Sequence, residues 1–195
     1  MSALADVLAK ARADGRAALI GYLPVGYPDV AVSIDAMRAM VDGGADVVEI
    51  GVPYSDPVMD GPTIQAAAEQ AVRSGVGIPD ALRAVRAVAE AGAAAVVMSY
   101  WNPIDHYGVG RFAADLAAAG GSGAITPDLI PDEADDWISA ADANGLDRVF
   151  LVAPSSTPQR LHVVADAARG FIYAASTMGV TGARAAVGGG AEALV

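Results

Sequence analysis

Two acidic residues stand where acids are costly to place. Glu49 lies inside the apolar run Asp46-Val47-Val48-Glu49-Ile50-Gly51-Val52. A carboxylate in such a run must point into a site or find a cationic partner, because burial disfavours its charged form. Burial would raise its pKa towards neutrality, where one group can both take and return a proton. The alternative role is a structural salt bridge to one of the arginines. Asp60 follows eleven residues later, in the loop Pro53-Tyr54-Ser55-Asp56-Pro57-Val58-Met59-Asp60-Gly61-Pro62. Two carboxylates flanking one strand end meet different surroundings, which separates acid from base. Asp60 has a competing role as a helix cap, since Asp is favoured near a helix start and Pro62 suits the first helical position. The local sequence leaves both readings open.

Other groups add chemistry of a different kind. Gly179-Val180-Thr181-Gly182 could form a turn whose amides and hydroxyl cradle a phosphate, or an ordinary loop ahead of a helix. Tyr22, Tyr100 and Tyr173 could line a pocket for an aromatic group, or be core residues with hydrogen-bonded tips. The single lysine, Lys10, falls in an N-terminal helical segment, so a Schiff-base aldolase lacks its nucleophile. His106, read as a loop residue, and His162, read as a helix-surface residue, lie apart without metal-ligand spacing. Cysteine is absent, which removes disulfides and thiolate sites. The chemistry left is cofactor-free and metal-free acid–base work by carboxylates.

The elements that must position these groups alternate along the chain. Strands are expected over Ala18 to Pro24, Asp46 to Val52, Ala94 to Tyr100, Gly123 to Asp128, Arg148 to Pro154 and Gly170 to Ser176. Helices are expected over Val30 to Asp42, Thr63 to Arg73, Ala81 to Ala91, Val109 to Ala119, Glu133 to Asn144 and Gln159 to Ala168. Pro79-Asp80 and Pro131-Asp132 precede helices, while Gly43-Gly44, Gly92, Gly120-Gly121 and Gly145 follow them. Such alternation means parallel strands joined by right-handed crossovers, in a closed barrel or an open doubly wound sheet. The turn after the first strand, Tyr22-Leu23-Pro24-Val25-Gly26-Tyr27-Pro28, carries no dinucleotide-binding glycine pattern. Polar residues near the strand ends, namely Tyr22, Glu49, Tyr100, Asn102, Asp128, Tyr173 and Thr181, suit the single mouth of a barrel.

A TIM (β/α)8-type barrel is therefore expected. Such a barrel takes about 250 residues, and the 195 here hold six countable β/α units. The expectation is one barrel domain over 1–195, truncated after about six units, with Ala183 to Val195 as its last helix. Gly188-Gly189-Gly190 would weaken that helix by about 1 kcal/mol each relative to Ala. An apolar content of 54% with 18% charged residues fits a parallel sheet covered by helices. The net charge of −11 repels nucleic acid and anionic membranes. The N-terminus lacks the pattern of a secretion signal and no apolar run nears spanning length, so the expected compartment is the cytoplasm.

The segments GYLPVGYPD, DVVEIGVPYSDPVMDGPTIQAA, MSYWNP, YGVGRF, PDLIPDEA, FLVAPSST and FIYAASTMGVTGAR resemble successive signatures of the tryptophan synthase alpha chain family, in family order. EIGVPYSDPVMDGPTIQ is the specific one, because other barrels share the architecture without that loop. The resemblance implies retro-aldol cleavage of indole-3-glycerol phosphate to indole and glyceraldehyde 3-phosphate. It implies Glu49 as proton shuttle and Asp60 as the group assisting at the indole nitrogen. Tyr22, Met98, Tyr100, Ile125 and Tyr173 would surround the indole, and Thr181 and Gly182 would begin the phosphate site. Asp56, Pro57, Asn102 and Pro103 would touch a beta chain that holds PLP, with no cofactor in this chain. The family pattern continues into two further strands whose glycines and serine complete phosphate binding. Two alternatives stand beside the lyase. One is a catalytically impaired fragment or a noncatalytic activator of the beta chain. The other is a different phosphate-binding barrel such as an isomerase, which EIGVPYSDP and DGPTIQ argue against.

Overall fold

The Ser2 hydroxyl accepts the Ala5 N–H and caps α1 (Ala3–Ala13). The structure, a computed structural model, describes residues 2–175. Thr181, Gly182 and the expected helix Ala183 to Val195 lie outside the described residues. Lys10 is exposed on α1, as its helical placement required.

After α1 come β1 (Ile20–Pro24), α2 (Val30–Asp42), β2 (Val47–Gly51), α3 (Pro62–Arg73), α4 (Ile78–Glu90) and β3 (Ala94–Met98). They are followed by α5 (Trp101–Tyr107), α6 (Val109–Ala118), β4 (Gly123–Ile125), a 3-10 turn (Pro131–Glu133) and α7 (Asp135–Asn144). β5 (Asp147–Val149), β6 (Leu151–Val152), α8 (Pro158–Ala167) and β7 (Tyr173–Ala174) complete the described chain. Local chemistry sets many of these boundaries. Asp29 caps α2 by accepting the Val32 N–H at 2.9 Å, and Thr157 caps α8. Gly145, at φ 66°, ends α7 in the left-handed conformation that a side chain resists.

All strand pairs are parallel, in the order β1-β2-β3-β4-β5, with β6 paired to β7. The expected strand from Arg148 divides at Phe150: Asp147–Val149 pairs with β4 and Leu151–Val152 with β7. The Phe150 carbonyl accepts the Tyr173 N–H, which keeps the pairing continuous across the break. The expected strand from Gly170 is shorter than the sequence suggested. α5 was not expected: Trp-Asn-Pro-Ile-Asp-His-Tyr has little helical periodicity, and an acceptor from another part of the chain holds its first turn, as described below.

Alternation sorts the strand side chains into two cores. Val47, Ala94, Val96, Ile125 and Val149 face inward, where Leu4 of α1 packs against them. Val48, Ile50, Ala95, Val97, Ala124, Phe150 and Val152 face outward against Met37, Val85, Val88, Phe112, Leu116, Trp137 and Val164 of the helices. Burying each large apolar side chain stabilises by about 1.5–3 kcal/mol. A sheet apolar on both faces is what produced the near-continuous hydrophobic runs in the sequence.

Candidate active site

Glu49 is the exception on the inward face. It sits between Val47 and Gly51 on β2, in register with Tyr22 of β1 and Val96 of β3. It is 7% exposed, and no arginine pairs with it among the described residues. The salt-bridge alternative is therefore not realised among the described residues. Desolvation without a compensating cation pushes its carboxyl from 4.5 to about 7. At that value the acid and its base are both populated near neutral pH.

Asp60 reaches the same region from the loop after β2. The helix-cap reading of this residue fails, because Gly61 occupies the N-cap of α3 with Pro62 at the first turn. The Asp60 carboxyl is half-buried, and burial raises its pKa as well. Its carbonyl accepts the Gln65 side-chain amide at 2.8 Å, which ties the residue to α3.

Tyr22 connects the two acids. Burial first, then the charges of Asp60 and Glu49, push its phenol up, so it stays protonated and able to donate. Tyr100 and Tyr173 lie within the same electrostatic neighbourhood, and Tyr173 responds to Glu49 after burial. Met98 and Ile125 are partners in register on the inward face, level with Gly51. The structure thus gathers Tyr22, Glu49, Asp60, Met98, Tyr100, Ile125 and Tyr173 around the C-terminal ends of the strands, the catalytic side of barrels.

Asn102 and Asp128, grouped with the strand ends in the sequence, are used differently. Both Asp128 carboxylate oxygens accept the Trp101 N–H, at 2.9 and 3.1 Å, and so hold the start of α5. Asn102 is exposed on α5 and donates to the Tyr54 hydroxyl at 3.1 Å. That bond brings the Asn102–Pro103 stretch beside the loop of Asp56 and Pro57. Asp56 is exposed and Pro57 half-buried. His106 is exposed on α5 and not in a loop, and His162 is on the surface of α8 as expected. Three residues had not been singled out, Gly51, Tyr54 and Gln65, although all lie within the specific segment EIGVPYSDPVMDGPTIQ.

Among the described residues no group of three or more His, Cys, Asp or Glu side chains is arranged to hold a metal ion, and no helix is long and apolar enough to cross a membrane. A groove of about 710 Å³ runs outside the sheet between α2, α4 and α6, lined by Ile34, Arg38, Leu82, Arg86 and Tyr107. It is remote from the carboxylates.

A parallel β/α barrel sheet carrying two desolvated carboxyls at its strand ends defines a barrel protein equipped for acid–base chemistry. Comparison with known proteins narrows that class. The family model for the tryptophan synthase alpha chain matches residues 8–195. The tryptophan synthase alpha chain of Nocardia farcinica is 67% identical over 193 residues, which cover 99% of this chain and 73% of that one. The solved structure of Mycobacterium tuberculosis tryptophan synthase superposes with a TM-score of 0.92 at 60% identity, covering 100% of this chain and 77% of that one. The alpha subunit of Legionella pneumophila, 33% identical, superposes with a TM-score of 0.85 over 90% of this chain and 68% of its own. The chain belongs to the tryptophan synthase alpha chain family. It is a TIM-barrel lyase subunit of tryptophan biosynthesis.

Proposed function

We propose that this chain cleaves indole-3-glycerol phosphate to indole and glyceraldehyde 3-phosphate, using Glu49 and Asp60. The observation that carries the reading is Glu49: a buried carboxyl, without a cationic partner among the described residues, raised to about 7 on the inward face of β2. In this reading a proton is delivered to indole C3, which weakens the bond to the glycerol side chain. Removal of the proton from the adjacent glycerol hydroxyl lets the O–H electrons form the aldehyde C=O. The broken C–C bond returns its pair to the indole ring. Glu49 carries the proton between these positions, and Asp60 accepts the indole N–H while positive charge develops on the ring.

Tyr22, Met98, Tyr100, Ile125 and Tyr173 are assigned to the indole pocket, and Thr181 and Gly182 to the phosphate. Residues 1–195 are read as one barrel domain acting in the cytoplasm. The assigned partner is a tryptophan synthase beta chain, met through Asp56, Pro57, Asn102 and Pro103 in an alpha–beta heterotetramer. PLP belongs to that partner, and no cofactor is assigned to this chain. Neither the site geometry nor the comparisons favour the noncatalytic alternative.

The test is indole release from indole-3-glycerol phosphate by the purified chain, with and without a beta chain, alongside circular dichroism. Release that disappears in Glu49→Gln is the expected result. A folded chain that releases no indole even with a beta chain would overturn the proposal.

A further inference from the structure

The loop that presents Asp60 gains little placement from burial of its tip. Val58, two residues ahead of Asp60, turns its side chain outward and is 66% exposed. Ser55 spends its hydroxyl on neighbouring Asp56, at 2.5 Å. The long-range polar tie just ahead of Asp60 comes from Tyr100. Its phenolic oxygen accepts the N–H of Val58 at 3.1 Å and of Met59 at 3.0 Å, while its side chain is anchored in a residue only 3% exposed. On the other side, Gln65 holds the Asp60 carbonyl at 2.8 Å. The main chain around Asp60 is thus gripped immediately before and at the residue.

The grip extends to the surface. The Tyr54 ring packs on the Tyr100 ring with centroids 5.3 Å apart, and the Tyr54 hydroxyl receives the Asn102 amide at 3.1 Å. A continuous series of contacts therefore runs from Asn102 through Tyr54 and Tyr100 to the two amides preceding Asp60.

We propose that Tyr100 is a positioning residue: its hydroxyl clamps the Val58 and Met59 amides, sets where the Asp60 carboxylate stands, and transmits movement of Asn102 and Tyr54 to that carboxylate. The proposal rests on the lyase reading for its effect on catalysis. The clamp itself is independent of that reading. A ring that only lines a pocket would not need its hydroxyl, so removing the oxygen alone separates the two roles.

The experiment uses Tyr100→Phe in the full chain. Amide hydrogen exchange of Val58 and Met59, resolved by NMR, is expected to quicken about 10-fold as the shared acceptor is lost. The kcat for indole release is expected to fall about 10- to 100-fold with KM little changed, the cost of displacing a catalytic group by a fraction of an ångström or more. Because Tyr100 acts through Asp60, Tyr100→Phe combined with Asp60→Asn should be no slower than Asp60→Asn alone. Asn102→Ala should quicken the same two amides, by a smaller factor. Unchanged exchange in Tyr100→Phe would overturn the clamp. Losses that add in the double variant would overturn its action through Asp60. If the wild-type chain releases no indole, the lyase reading fails, while the exchange rates still decide the clamp.

Discussion

The phenol of Tyr22 fills the space left by the missing side chain of Gly51. A Cβ placed on Gly51 would stand 2.5 Å from the Tyr22 hydroxyl and 2.9 Å from two ring carbons. Gly51 follows Glu49 by two residues and therefore shares its inward face. The bare glycine lets the phenol lean across the end of β2, where the charges of both Asp60 and Glu49 act on it.

Gly51→Ala should therefore displace Tyr22. Overpacking of this kind costs about 1–3 kcal/mol, read as a lower urea midpoint, and KM for the indole substrate should rise. Tyr22→Ala in the same chain removes the obstructing ring, so the double variant should lose less than the sum of the single changes. Simple addition would mean that the two residues do not collide.

Glu49→Gln should cost about 10²- to 10⁴-fold in cleavage with the circular dichroism unchanged. The same change should affect stability in a pH-dependent way. The folded carboxyl, at about 7, lies above its unfolded value near 4.5, so the folded state holds the extra proton. Stability from this group is fully present below about 4.5 and is lost as pH rises through about 7. Between those limits the wild type should lose up to about 3 kcal/mol relative to Glu49→Gln. Denaturation at pH 4 and pH 8 measures this, and a gap that stays constant between the two would contradict the buried, unpaired placement.

Asp60→Asn should slow indole release about 100-fold or more while leaving α3 intact. A lost N-cap would lower stability by about 1 kcal/mol, whereas Gly61 is the N-cap here, so the change should stay within about 0.5 kcal/mol. Urea unfolding beside the kinetics separates these outcomes.

Asp142→Ala should destabilise by about 3–5 kcal/mol, because it strands a buried guanidinium. Arg148 is 3% exposed on β5, pairs with Asp142, and otherwise gives its Nε–H to the Ala167 carbonyl at 2.8 Å. Arg148→Met removes the charge itself and keeps much of the volume, while Asp142 is solvated, so its loss should be smaller. Equal losses would show that the guanidinium is not the costly partner.

Much of this protein was legible because its inner and outer cores impose simple patterns. Val47-Val48-Glu49-Ile50-Gly51 reads as a doubly buried strand with one acid, and that acid stands in the site. The segment EIGVPYSDPVMDGPTIQ held Gly51, Tyr54, Asp60 and Gln65 together, although of these four only Asp60 carries an acid that could be weighed from its type alone. Asp60 remained ambiguous because Asp-Gly-Pro suits a cap as well as a site, and one residue of offset decides between them. α5 stayed hidden because its first N–H is satisfied by Asp128, 27 residues away, and a local window cannot contain that bond.

By itself, then, the sequence determined the alternation of strands and helices, the barrel class and the lone acid of β2, since these follow from side-chain period and local composition, and its segments carried the family resemblance. Tertiary structure alone decided that no arginine among the described residues neutralises Glu49, that Tyr22 lies over Gly51, and that Tyr100 grips the loop of Asp60. Those outcomes depend on which strands are neighbours and at what register, and desolvation exists only once the sheet has curled its inward face away from water.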